Sequence, residues 1–340
     1  MHKNTKRSTG VKKIIRALAL VAMFVMVLLS GCQKKESVAE VEAPPAPAVG
    51  ISKIVAHPAL DALERGIVEV ISASYPDAVF DLQNANGEMS TASSIAQKFK
   101  ADKVDLAVGI ATPTAQALAQ AIKDIPVVFC AVTDPVDAGL ITTTERGEGN
   151  ITGVSDMTPV KDQIELLLSL VDIDTLGCVY TNSEANAVRL AEIAEASCKE
   201  LGIGFIGTGV NNSSEVKQAA QTIAEKVDAF YVGTDNTVVS AISALIDVAA
   251  KAGIPIVSAD TTSAENGGVF VSWGFDYYKM GKATGRMVVD ILKGKDPAEI
   301  PTLFMTDPSD IDLLIDTNVA KALGIEIPAD LLSKARTVQP

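Results

Sequence analysis

Two stretches of this chain place polar, chemistry-bearing side chains where an apolar run gives way to a helical pattern. In residues 105–135 the run reaches Gly109 and breaks at Thr112; in residues 228–262 the equivalent run reaches Gly233 and breaks at Asp235. Both positions open a helix, and the free N–H groups of a helix start suit a carboxylate or another anionic group. Farther along each stretch, Thr133 and Asp134, and Asp260 and Thr261, end a second apolar run. There a hydroxyl and a carboxylate can bracket a polar ligand, and an aspartate facing a cleft pairs with a cationic amine. Each residue taken singly is also a good helix cap or turn former. Their recurrence at equivalent strand ends is what favours a shared binding site.

Catalysis has less to work with. The sequence holds no G-x-x-x-x-G-K-[ST], no G-x-S-x-G, no H-E-x-x-H and no G-x-G-x-x-G after a strand. Its only histidines are His2 and His57, and imidazole is the side chain best suited to proton transfer at neutral pH. His57 ends the first apolar run, where it either lines the cleft or serves as a turn residue. No cysteine spacing of metal-binding type occurs. The expectation is binding without a catalytic residue, metal or cofactor. Phe129, Tyr180, Tyr231, Trp273 and Phe275 are candidates for a flat apolar wall, with core packing favoured for most of them.

The elements that position these residues follow one repeated plan. Each stretch runs from an apolar segment through a helix-periodic one to Ile-Pro (Ile125 and Pro126, Ile254 and Pro255) and into a second apolar run. Short apolar runs alternating with helical segments signal βαβ units and a parallel sheet. Two copies predict an α/β protein of two doubly wound, Rossmann-like lobes with a multi-segment hinge, and ligands of such sheets bind at the carboxyl ends of the strands. The first lobe is expected over 49–153, with about 276–303 returning to it. The second is expected over 154–275, with about 304–335. Residues 150–154 read as the first crossing, 160–170 and 277–292 as helices, 302–305 and 313–315 as closing strands. Thr112 reads as one helix cap and Ser183 as another.

The N-terminus has a different character. Its first 31 residues carry six Lys or Arg and no acid, and 17–29 form an apolar run too short to span a membrane comfortably. The run ends in Leu29-Ser30-Gly31-Cys32, similar to a bacterial lipobox, so 1–31 is expected to be a removed signal peptide and Cys32 a lipidated N-terminus. Residues 32–48, rich in Glu, Pro, Ala and Val without periodicity, read as a tether. The chain then faces the periplasm or cell exterior from a membrane. Removing the leader takes six of 29 basic residues, leaving 23 against 42 acidic ones, a net charge of −19. So acidic a body argues against a nucleic-acid partner. Cys130, Cys178 and Cys198 are expected as buried free thiols, Cys178 with Cys198 being the pair an exported protein would join.

Six motifs carry a resemblance. His57-Pro58-Ala59-Leu60-Asp61, Asn84-Ala85-Asn86-Gly87, Gly109-Ile110-Ala111-Thr112-Pro113, Ala131-Val132-Thr133-Asp134-Pro135, Gly153-Val154-Ser155-Asp156 and Asp235-Asn236-Thr237 occur in order. Together they resemble the tryptophan/tyrosine-type substrate-binding proteins of ABC transporters over residues 49–326. The resemblance implies a type I periplasmic-binding-protein fold with a three-segment hinge, an aromatic amino acid as ligand, and delivery to a membrane permease with a cytoplasmic ATPase. It implies that Thr112 and Thr133 hold the ligand carboxylate. It also implies that Asp134, Asp156, Asp235 or Asp260 holds the amine, a choice the sequence leaves open. His57, Asn84 and Asn236 fall in the same motifs and complete the expected ligand-binding set. A sensor for a membrane signalling protein, or an exported enzyme on the same fold, are the alternatives.

Overall fold

The computed structural model describes residues 46–338; the expected leader, Cys32 and the tether as far as residue 45 lie outside them. From Ala48 the chain alternates strand and helix: β1 (Ala48–Lys53), α1 (Pro58–Ser74), β2 (Val79–Asn84), α2 (Met89–Asp102), β3 (Leu106–Ile110), α3 (Thr112–Ala121), β4 (Val127–Cys130) and β5 (Ile151–Ser155). With β11 (Leu303–Phe304) these strands form one parallel sheet in the order β11-β5-β4-β3-β1-β2. Strands β3, β4 and β5 are buried at every position, as a parallel sheet covered on both faces requires.

A second sheet follows the same logic. It is built from β6 (Thr175–Thr181), α5 (Ala185–Leu201) after α4 (Val160–Leu170), then β7 (Gly204–Val210), α6 (Val216–Ile223), β8 (Ala229–Val232), α7 (Asn236–Ser240), α8 (Ile242–Ala252), β9 (Ile256–Ser258) and β10 (Val271–Phe275). Two later strands, β12 (Ile311–Ile315) and β13 (Arg336–Thr337), extend it to β13-β12-β10-β9-β8-β6-β7. Only the β10–β12 pairing is antiparallel. Helices α10 (Thr317–Leu323) and α11 (Ala329–Leu332) close the chain.

Between these sheets the chain passes three times: after β5, after β10 and after β11. The second passage is α9 (Tyr277–Leu292), which packs along α1. Gly66 and Gly281 permit that approach. A Cβ at Gly281 would stand 2.3 Å from the Leu63 carbonyl oxygen, and one at Gly66 2.5 Å from that of Tyr278.

Residues 150–154 differ from the sequence expectation. The segment read as a crossing is mostly β5, a strand of the first sheet, and the chain leaves only after Ser155. Gly153 makes this possible, since a Cβ there would come within 2.1 Å of the Phe129 carbonyl oxygen and 2.4 Å of its ring. Cys130, Cys178 and Cys198 are all free and buried.

Candidate functional site

The C-terminal ends of both sheets meet around a closely packed space of about 20 Å³, room for little more than one water-sized group as the lobes stand together. The first lobe contributes His57, Ala59, Leu60 and Ala131, the crossing after β5 contributes Asp156, and the start of α9 contributes Tyr277. The second lobe contributes Asn186, Thr234, Asp235, Asn236, Val239 and Asp260. No lysine or arginine lines this space among the described residues.

In the first lobe the backbone itself is bent to the site. Ala111 and Ala131 follow β3 and β4 with φ of 75° and 54°, values that cost energy for a residue with a Cβ and cluster where function demands them. The turn at Ala111 makes it, not Thr112, the cap of α3, and leaves Thr112 at the first helical position. Thr112 therefore does no capping: its hydroxyl is buried without a partner. Thr133 donates to Asp156 Oδ1 at 3.0 Å and lies 3.2 Å from the Thr234 hydroxyl of the other lobe. It sits directly behind two lining residues without lining the space itself. Both ring nitrogens of His57 are buried and unpartnered.

In the second lobe the polar groups cap helices and face the space at once. Asp235 caps α7 by accepting from Val238 N at 2.9 Å, and it also accepts from Thr181 N and Thr181 Oγ1, each at 2.7 Å. Asp260 accepts from Thr262 N at 2.8 Å and Thr262 Oγ1 at 2.7 Å through one carboxylate oxygen. Glu184, buried at the start of α5, reaches across to the N-terminus of α7. It accepts from Asn236 N at 3.3 Å, Thr237 N at 3.1 Å and Thr237 Oγ1 at 2.7 Å, where the helix dipole favours a carboxylate. Asn186 donates to the Thr234 carbonyl at 2.8 Å, while its Oδ1 has no partner.

Burial sets the electrostatics. It pushes Asp156 up to about 6, with the charge of Asp260 adding to the rise. It pushes Asp235 up to about 7, the nearby Glu184 carboxylate contributing. Burial lowers His57 and keeps it neutral, against the pull of Asp260. Three aspartates around a buried space lined by no lysine or arginine are an arrangement with which an incoming cation, such as an ammonium group, can pair.

Of the nine residues named from sequence, His57, Asp156, Asp235, Asn236 and Asp260 converge on the space, and Thr112, Thr133, Asp134 and Asn84 do not line it. Asn84 holds the following turn by accepting from Asn86 N. Asp134 accepts from Val136 N and Asp137 N and pairs with Arg189. None of the five candidate wall aromatics lines the space; Phe129, Tyr231 and Phe275 are core residues. The single aromatic ring there besides His57 is Tyr277, which sequence reading missed together with Glu184, Asn186 and Thr234. Glu184 follows the end of β6 and Thr234 the end of β8, so the strand-end rule that found Asp235 would have found them too.

Comparison with known proteins agrees with this architecture. The sequence model of the family described as ABC transporter substrate binding protein matches residues 48–339. The Tyrosine-binding protein of Clostridioides difficile (strain R20291) is 35% identical over 283 residues, covering 82% of this chain and 81% of that protein. A solved ABC domain from Streptococcus pneumoniae in complex with L-Trp is 32% identical, with a TM-score of 0.82 over 86% of this chain and 100% of its own. The ligand-free, open structure of a Clostridium difficile substrate binding protein with adhesive properties is 34% identical and covers 86% of this chain and 99% of its own, yet its TM-score is 0.65. The fold is that of type I periplasmic binding proteins, and the family binds solutes and is not one of enzymes. On the match across residues 48–339 and the two-lobed site it encloses, this chain belongs to the ABC transporter substrate-binding protein family.

Proposed function

We propose that this chain is the lipid-anchored, extracytoplasmic receptor of an ABC importer for an aromatic amino acid. In this reading 1–31 is a removed leader, Cys32 carries the lipid and 32–48 tethers the body to the membrane. No helix of the described residues is long and apolar enough to cross a membrane; in this reading the lipid on Cys32 supplies the attachment. The lobes, about 49–155 with 276–304 and 156–275 with 305–335 once β5 and β11 are kept whole in the first sheet, close over the ligand by hinge motion. The closed form is what a membrane permease, powered by its cytoplasmic ATPase, recognises, and the receptor makes or breaks no bond.

The observation that carries the reading is the space edged by Asp156, Asp235 and Asp260, lined also by Tyr277, His57, Leu60 and Val239 and by no lysine or arginine. The carboxylates suit the α-ammonium group, and the ring and aliphatic side chains suit an aromatic side chain. The relatives support the ligand class, one being named for tyrosine and one holding L-Trp. The structure superposes better on the L-Trp complex than on the open, ligand-free relative at similar identity, which supports reading it as the closed arrangement.

The test is thermal melting of the lipid-free body, residues 33–340, against the amino acids and nucleobases. A ligand at about 100 times its Kd adds about 2.7 kcal/mol to the folded state. A shift confined to tyrosine, tryptophan and phenylalanine is the expected result. Shifts only with nucleobases or non-aromatic amino acids would remove the aromatic assignment.

A further inference from the structure

Asp134 lies four residues past the end of the first-lobe strand β4, directly after Thr133, and its carboxylate is turned to the second lobe. Its Oδ2 lies 3.3 Å from Arg189 Nε on α5. Beside it, the Thr133 and Thr234 hydroxyls meet at 3.2 Å, again one from each lobe. We propose that Arg189 and Asp134 are positioning residues for binding: a latch across the cleft that sets ligand affinity without touching the ligand. The proposal rests on the closure reading above. An ion pair whose halves belong to different lobes exists only when the lobes are together, so its free energy falls wholly on the closed state.

Both halves are prepared before they meet. Asp134 Oδ1 accepts from Val136 N at 3.2 Å and Asp137 N at 3.0 Å, which fixes the carboxylate in a turn and leaves Oδ2 for the guanidinium. Arg189 Nη1 also lies 4.0 Å from Glu192 on the same helix, the outer limit of an ion pair. Little side-chain freedom is then lost on pairing. The side chains are 37% and 21% exposed, so solvent screens the pair and its effect is that of a partly exposed bridge, roughly 1.5- to fivefold in an equilibrium. When the closed state is only fractionally populated, apparent affinity changes by the same factor.

Asp134→Asn keeps an oxygen for the turn and removes the charge; Arg189→Gln removes the cation. Spin labels on Gln120 of α3 and Glu195 of α5, both exposed, report the lobe separation by pulsed electron resonance, and the three native thiols are buried away from the label. The protein is residues 46–340, a compact unit of their own. In ligand-free protein each variant is expected to raise the open-to-closed ratio about 1.5- to fivefold, the double variant no further, and 0.5 M NaCl to bring wild type to the same ratio. L-tyrosine, L-tryptophan and L-phenylalanine should each dissociate faster by that one common factor, with association unchanged. A factor that differs among the three ligands makes Asp134 or Arg189 a ligand contact and overturns the latch. So do lobe separations and dissociation rates that match wild type in both variants. Failure of all three amino acids to bind wild type overturns the ligand assignment instead, and the lobe separations still judge the latch.

Discussion

Asp260 divides its carboxylate between two tasks: one oxygen holds the Thr262 turn, and the other accepts no hydrogen bond among the described residues. Asp260→Asn keeps the capping oxygen and removes the charge. It is expected to leave ligand-free melting nearly unchanged and to weaken an aromatic amino acid about 10- to 100-fold, the range of a hydrogen bond to a charged group, measured by calorimetric titration. Asp235→Ala is a poorer probe, because it strips the buried Thr181 N–H and the α7 cap of their acceptor together. We expect it to cost about 2–4 kcal/mol of stability in denaturant unfolding, whatever it does to binding. Thr112→Val removes a buried hydroxyl that has no partner, so stability should hold or rise. These side chains were legible in sequence to the extent that their job is local. An aspartate at a strand end announces a cap, and the cap residues Asp235 and Asp260 also face the cavity. Asn84 and Asp134 announce themselves in the same way but spend their oxygens on turns and, for Asp134, on Arg189. The place of Glu184 just past a strand end was legible, but its partnership with α7, 52 and 53 residues away, was not, because the β6–β8 pairing creates that proximity.

Helices and strands show the same division. Helix α4 and helix α9 span the residues their apolar periodicity predicts, 160–170 and 277–292, since an amphipathic face is written in the local sequence. Strand β5 is not so written: Asn150, Thr152 and Gly153 look like a linker, and the neighbours β4 and β11 make 151–155 a buried strand. The contact between α1 and α9 is likewise tertiary, and it rests on small residues. Gly281→Ala would press a methyl group against the Leu63 carbonyl, where a Cβ stands 2.3 Å away, and against Leu63 Cα at 2.9 Å. Backbone cannot yield as a side-chain tip can, so the helices must separate. Overpacking of this kind costs about 1–3 kcal/mol, which should lower the melting temperature by about 2–5 °C in a chain of this size. A smaller fall would mean that α9 slides along α1 instead.

At the scale of the molecule, closing two lobes over buried acids couples binding to protons, and the two effects of pH run in opposite directions. Asp156 at about 6 and Asp235 at about 7 hold protons more readily folded than unfolded, where a free aspartate titrates near 3.9. A raised carboxylate contributes stability that is complete below its unfolded value and is lost as pH rises through the folded one. Acidifying ligand-free protein from pH 7.5 to 6.5 should therefore raise its melting temperature. His57 acts the other way: burial lowers it, so its contribution is lost as the pH falls below the free imidazole value of about 6.5. The gain should accordingly flatten or reverse on further acidification. Ligand binding has the opposite need, because an ammonium group is held by ionised carboxylates. If one aspartate must be charged, affinity falls about tenfold for each pH unit below that group's titration. The melting shift produced by L-tyrosine should thus shrink between pH 7.5 and 5.5 while the ligand-free protein gains stability over the first part of that range. Titration calorimetry at pH 6.5 in buffers of different ionisation enthalpy should show protons leaving the protein as ligand enters. Proton uptake, or an affinity that ignores pH across this range, would show that the aspartates stay protonated in the complex and that the amine is held elsewhere.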